Sequence, residues 1–131
     1  MTDRHETALL KRTVAVVEDN PDNRMLVEAI LGSRYAVTSY ATGPSAVAGC
    51  HGTPPDVILL DITMPGMDGT QVLRALRADP RLARVPVVAL TADAVCGARD
   101  RYLALGFDDY VSKPILSAED LREVIRRNLP E

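Results

Sequence analysis

The chain has 131 residues, 47% of them hydrophobic and 25% charged, with a formal net charge of −3. That length holds one compact domain with a real core and falls short of two ordinary ones, and the composition is globular rather than disordered. The acid excess leaves no basic field to draw the chain to nucleic acid or an anionic membrane, and no apolar run approaches the ~20 residues of a membrane span.

Residues 1–12 carry charge throughout and lack the apolar middle of a secretory signal. They read as a polar lead-in to a domain spanning residues 13–129, with a cytoplasmic location as the default. Cys50 and Cys96 match no metal spacing and read as small core residues, not a disulfide. His5 and His51 read as isolated surface residues. Of the 15 basic residues only Lys11 and Lys113 are lysines, which singles out Lys113.

Thr13–Val17 is an apolar run of the buried-strand type, followed at once by two acids, Glu18 and Asp19. Asn20 is suited to cap a helix that has Pro21 at its first position. Leu26, Val27, Ile30 and Leu31 form its apolar stripe, and Gly32 ends it. Residues 35–40 alternate weakly and read as a second strand. Gly43-Pro44 then opens a short alanine-rich helix running to about Cys50.

Val57-Ile58-Leu59-Leu60 reads as a strand buried on both faces. Asp61 stands at its end, because Met64-Pro65-Gly66 and Asp68-Gly69 turn the chain. Asp68 caps a helix with Val72, Leu73 and Leu76 on its inner face, and Asp79-Pro80 stops it. Residues 85–90 make a fourth apolar strand with Thr91 at its end. The next helix, roughly Asp93 to Leu105, has an inner stripe of Val95, Ala98, Tyr102 and Leu105. Gly97 in its interior weakens it by about 1 kcal/mol, and Gly106 closes it. Asp109-Tyr110-Val111 is a short fifth strand leading into Ser112-Lys113-Pro114. Ser117 and Asp120 begin a last helix with Leu121, Val124, Ile125 and Leu129 inward and Arg122, Arg126 and Arg127 outward.

Five strands alternating with five helices predict an α/β fold, a parallel sheet covered on both faces. Ligands bind such sheets at the carboxyl ends of the strands. There the first, third, fourth and fifth strands carry Glu18-Asp19, Asp61, Thr91 and Lys113. Three neighbouring carboxylates repel one another unless a cation joins them, and oxygen ligands that leave room for water favour Mg²⁺. Lys113 adds a second positive charge and Thr91 a hydroxyl donor. Together they form a receptacle for a phosphoryl group, with Asp61 central enough to be the nucleophile that accepts it.

From about Arg12 to Leu129 the chain resembles the receiver domain of two-component response regulators. The resemblance lies in Val-Val-Glu18-Asp19-Asn, Leu-Leu-Asp61-Ile-Thr-Met-Pro-Gly-Met-Asp-Gly, Leu-Thr91-Ala and Tyr110-Val-Ser-Lys113-Pro114-Ile. It implies a flavodoxin-like doubly wound sheet of order 2-1-3-4-5. It implies Glu18 and Asp19 as the pair that holds Mg²⁺, with Asp61 and the backbone carbonyl of Thr63 completing the metal site. Asp61 would be the phosphoacceptor, Thr91 and Lys113 would bind the phosphoryl oxygens, and the Lys113–Pro114 bond would be cis. Tyr110 would be the aromatic that swings inward after phosphorylation.

Read this way, the chain is not an enzyme beyond catalysing its own phosphorylation and dephosphorylation. The donor would be the phosphohistidine of a histidine kinase or a histidine phosphotransfer protein. The stretch from Thr91 to Pro114 is similar to receivers attached to hybrid histidine kinases and to stand-alone regulators. The chain stops after its fifth helix with no effector module, which, with Met1 and the natural-looking leader, favours a stand-alone protein. Output is expected through the face made by the fourth helix, fifth strand and fifth helix, with Arg122, Arg126 and Arg127 as a basic rim. A partner protein or a second copy would read that face, with no direct DNA contact.

Each residue alone has a plainer role. Glu18-Asp19 would suit a helix N-terminus, Thr91 a cap, Tyr110 a core position and Lys113 the solvent. Their joint arrival at successive strand ends is what those roles do not account for. A haloacid-dehalogenase-type phosphatase would need a second acid two residues past the nucleophile, where Thr63 stands. A flavodoxin-like cofactor binder would need a Gly-, Ser- and Thr-rich phosphate loop after the first strand, where Glu18-Asp19-Asn20-Pro21-Asp22 stands. A plain interaction module with an accidental acid cluster is the remaining alternative, separable by metal titration.

Overall fold

The structure, a computed structural model, describes residues 11–92 and 97–129. Most of the lead-in, His5, Cys96 and the expected helix start from Asp93 through Val95 lie outside the described residues. The strands are β1 (Thr13–Val17), β2 (Ala36–Tyr40), β3 (Val57–Asp61), β4 (Val87–Thr91) and β5 (Asp109–Ser112). They form one parallel sheet in the order β2-β1-β3-β4-β5. Between and after them run α1 (Pro21–Leu31), α2 (Gly43–Gly52), α3 (Gly69–Arg77), α4 (Ala98–Leu105) and α5 (Ala118–Asn128). This is the doubly wound, flavodoxin-like order.

Every residue of β3 and β4 is buried, as a strand covered by helices on both faces requires. Their side chains alternate between two cores. Ile58, Leu60, Val87 and Ala89 pack with Ala46, Cys50, Val72, Leu73, Leu76 and Tyr102 of α2, α3 and α4. Val57, Leu59, Val88 and Leu90 pack on the other side with Val27, Ile30, Leu31, Leu121, Val124 and Ile125 of α1 and α5. Each large aliphatic side chain so buried contributes about 1.5–3 kcal/mol.

The caps act as their sequences suggest. Asn20 accepts from the N–H groups of Asp22 and Asn23, and Asp68 forms a capping box with Gln71. Gly69 is required by close approach: a Cβ there would lie 2.7 Å from Ile62 Cα and 2.8 Å from the Asp61 carbonyl oxygen. The loop after β3 can therefore fold tightly back beside Asp61.

Several expectations are corrected. Leu26 is 40% exposed, and the buried stripe of α1 is Val27, Ile30 and Leu31. Leu105 is likewise 51% exposed. Gly97 caps α4 instead of interrupting it. Its φ of 85° is left-handed, which glycine adopts without the steric cost of a Cβ. The fourth strand begins at Val87, after Pro86, which has no N–H to give.

Of the α5 arginines, Arg126 and Arg127 are exposed as expected and Arg122 is partly buried, but each is paired. Arg122 bonds Glu119, Arg126 bonds Glu123, and Arg127 bonds Asp109. His51 is exposed but paired, its Nδ1 lying 2.6 Å from Asp79 Oδ2. Cys50 is buried, and burial pushes its thiol up to about 11.

Candidate functional site

The register of the sheet brings distant residues to one edge. Val17 pairs with Leu60, Asp61 with Leu90, and Thr91 with Ser112. Glu18 and Asp61 thus emerge side by side, with Lys113 just past the end of β5. Backbone bonds carry this alignment into the loops: Ile62 N–H donates to the Leu90 carbonyl at 3.0 Å, and Lys113 N–H to the Thr91 carbonyl at 2.7 Å.

Glu18 is fully buried and Asp61 nearly so, while Asp19 is exposed. Glu18 Oε1 accepts from Asn23 Nδ2 at 3.1 Å and sits 2.9 Å from Lys113 Nζ, and Oε2 accepts from the Asn20 N–H at 3.2 Å. Asp61 Oδ1 accepts from the Thr63 N–H at 3.0 Å, and Oδ2 from Lys113 Nζ at 2.9 Å. Partial burial works to lower the lysine's pKa, but the hydrogen bonds and charges of Asp61 and Glu18 outweigh it and raise it above 10.5. The Lys113–Pro114 peptide bond is cis.

One ligand oxygen from each of Glu18, Asp19 and Asp61 lies within 4.8 Å of the others. Three carboxylates face a single ammonium, a formal imbalance of −3 + 1 = −2. An all-oxygen donor set with that charge suits a hard divalent cation such as Mg²⁺. The residues present fit the ion.

Thr91, 3% exposed at the end of β4, is engaged from behind. Its hydroxyl lies 2.8 Å from the Tyr102 hydroxyl of α4. Tyr110 is half-buried, its ring 5.9 Å from that of Tyr102 at 39°. Tyr110 thus packs against the tyrosine whose hydroxyl meets Thr91.

Four contributors were not anticipated. Arg24 donates from one Nη1 to the backbone carbonyls of Glu18 at 2.9 Å and Asp19 at 3.0 Å, pinning the loop that carries both acids. Asn23 holds the Glu18 carboxylate. Both lie in the first turns of α1, close in sequence to the acids they serve, and that proximity was the available signal. Tyr102 was expected only as part of an apolar stripe, although a buried tyrosine hydroxyl generally finds a partner. Asp109, 3% exposed, is bonded by Arg99, Arg127 and Asn128.

Against this geometry, residues 14–126 match the response regulator receiver domain family. The chain belongs to that family. It is 36% identical over 131 residues to the signal transduction histidine-protein kinase BarA of Escherichia coli, covering 99% of this chain and 14% of that protein. It is 44% identical over 103 residues to the response regulator PleD of Caulobacter vibrioides, covering 78% of this chain and 23% of that one. The chain thus spans less than a quarter of the length of either curated relative. Among solved structures, the receiver domain of the Pseudomonas aeruginosa sensor histidine kinase PA1611 superposes with a TM-score of 0.81 at 38% identity, covering 90% of this chain and 97% of that one. That structure has a magnesium ion coordinated in its active-site cleft.

Proposed function

We propose that this chain, as a receiver domain of a two-component system over residues 13–129, accepts a phosphoryl group on Asp61 from a phosphohistidine. The observation that carries the reading is the convergence of Glu18, Asp19 and Asp61 within 4.8 Å, with Lys113 Nζ 2.9 Å from two of them.

A carboxylate oxygen of Asp61 attacks phosphorus, forming a P–O bond as the P–N bond breaks. The electron pair leaves on the imidazole, which takes up a proton. Lys113, already held at the acids, shifts its charge onto the incoming phosphoryl oxygens, and Thr91 donates its hydroxyl to another. Glu18, Asp19, Asp61 and the carbonyl of Thr63 would hold Mg²⁺, which when bound neutralises charge on the equatorial oxygens. The Asn23, Asn20 and Arg24 bonds hold the acidic loop in place. Water can approach the same polarised phosphorus, so the chain also catalyses loss of its own phosphoryl group. The donor is a histidine kinase or histidine phosphotransfer protein in the cytoplasm. A partner protein or second copy reads the face of α4, β5 and α5, around Tyr110.

Incubation with acetyl phosphate and Mg²⁺, followed by intact mass measurement, tests this. One phosphoryl addition is expected, lost in Asp61→Asn and without Mg²⁺. An unmodified wild-type mass, or modification that survives Asp61→Asn, refutes it.

A further inference from the structure

The three acids at the mouth are held to different degrees. Glu18 is gripped through its carboxylate by Asn23 Nδ2, the Asn20 N–H and Lys113, and Asp61 by the Thr63 N–H and Lys113. Asp19 is exposed, and among the described residues no bond holds its carboxylate. What fixes Asp19 is its backbone. Its carbonyl oxygen accepts from Arg24 Nη1 at 3.0 Å, and the same nitrogen donates to the Glu18 carbonyl at 2.9 Å. Arg24 is the fourth residue of α1, where a positive charge opposes the helix dipole, and the two carbonyls offset that cost. A guanidinium usually pairs with carboxylates, as Arg127 does with Asp109. Arg24 bonds no carboxylate among the described residues. It grips the main chain instead and leaves the negative charge of the acids available.

We infer that Arg24 is a positioning residue for the cation: it holds the Glu18-Asp19 turn so that the exposed Asp19 carboxylate stays beside Glu18 and Asp61. The inference rests on the metal site of the phosphoacceptor reading above. Two effects of the guanidinium oppose each other. Its charge, set on the loop that carries two of the acids, repels a divalent cation and so weakens binding. Its bonds order the turn in advance, so the incoming cation does not have to order it, and this strengthens binding. Order matters most at Asp19, because rotation of the main chain there swings the carboxylate with it. Arg24 is partly exposed, so water screens its charge, and the ordering effect prevails.

The test is Mg²⁺ titration followed by amide NMR of residues 18–20 and 61–63, in wild type, Arg24→Met and Arg24→Lys. Arg24→Met keeps an apolar stem and removes both the charge and the donors. Arg24→Lys keeps the charge, and one ammonium nitrogen can donate to two carbonyls as Nη1 does. Arg24→Met should weaken Mg²⁺ binding about three- to tenfold, the reach of one hydrogen bond, and Arg24→Lys should recover part of that loss. A residue acting by charge only gives the opposite order, with Arg24→Met binding Mg²⁺ more tightly than wild type. Urea midpoints read without Mg²⁺ separate a loss of fold from a loss of binding. If Arg24→Met does not fold, Arg24→Gln takes its place with the same expected sign. Unchanged or tighter binding in Arg24→Met, or Arg24→Lys binding no better than Arg24→Met, overturns the inference while leaving the phosphoacceptor reading intact. A wild-type chain whose signals do not respond to Mg²⁺ removes the metal site from that reading and the inference with it.

Discussion

The two ends of β5 carry buried acids in opposite states of charge balance. At its start, Asp109 Oδ1 accepts from the Tyr110 N–H at 2.9 Å, Arg127 at 3.1 Å and Arg99 at 3.2 Å. Its Oδ2 accepts from Arg127 Nε at 2.8 Å and Asn128 at 2.9 Å. One carboxylate meets two guanidinium groups and is saturated. Past the other end of β5, Lys113 is, among the described residues, the one cation bonded to the carboxylates of Glu18 and Asp61, with Asp19 beside them. A saturated carboxylate holds structure together, whereas an undercompensated cluster stays open to an incoming cation or phosphoryl group. Burial is similar at Asp109 and Asp61, so charge balance is what separates a brace from a site.

The sharpest way to break this contrast is Asp109→Asn. It should cost about 2–3 kcal/mol of stability, because two arginines lose a buried partner, read as a lower urea midpoint. Mg²⁺ binding and phosphorylation of Asp61 should be unchanged. Loss of the Mg²⁺ response in that variant would mean that the two ends of β5 are not separate in function.

The converse measurement is made at the mouth. Mg²⁺ at ten times its Kd should stabilise the chain by about 1.4 kcal/mol. It should shift the amide signals of residues 18–20 and 61–63, leaving Asp109 and Arg127 still. Asp19→Ala should abolish both responses. Shifts that persist in Asp19→Ala would remove the exposed acid from the metal site.

The smallest effect is on pH dependence, and the two ends should show it on opposite limbs. Burial alone would raise the Asp109 carboxyl, but the bonds from Arg127, Asn128 and the Tyr110 N–H hold it below 3.8. Its contribution is present above that ordinary value and is lost as pH falls through the lower folded one, below about pH 4. Lys113 is raised above 10.5, so its contribution is complete below that value and is lost as pH rises through the higher folded one. Urea unfolding across pH should therefore show an acid limb flattened by Asp109→Asn and an alkaline limb flattened by Lys113→Ala. Exchange of those two assignments would contradict the charge balance described.

The apolar runs at β1, β3 and β4, the caps at Asn20, Asp68 and Ser117, and the acids and lysine at the strand ends were all legible from residue order. They depend on patterns of period 2 or 3.6 and on turn chemistry, which act over a few neighbours. Once those patterns demand a parallel sheet, alternation alone sends Glu18, Asp61, Thr91 and Lys113 to one edge. What only the tertiary structure decided are contacts between elements that no local pattern encodes. The docking of α4 sets the Tyr102 hydroxyl against Thr91, eleven residues away. The packing of α5 turns Arg127 from an outward charge into the partner of Asp109. The fold of α1 over the mouth lets Arg24 reach back to the carbonyls of Glu18 and Asp19. A side chain's identity is local, but its partner is chosen by which surfaces the core brings together.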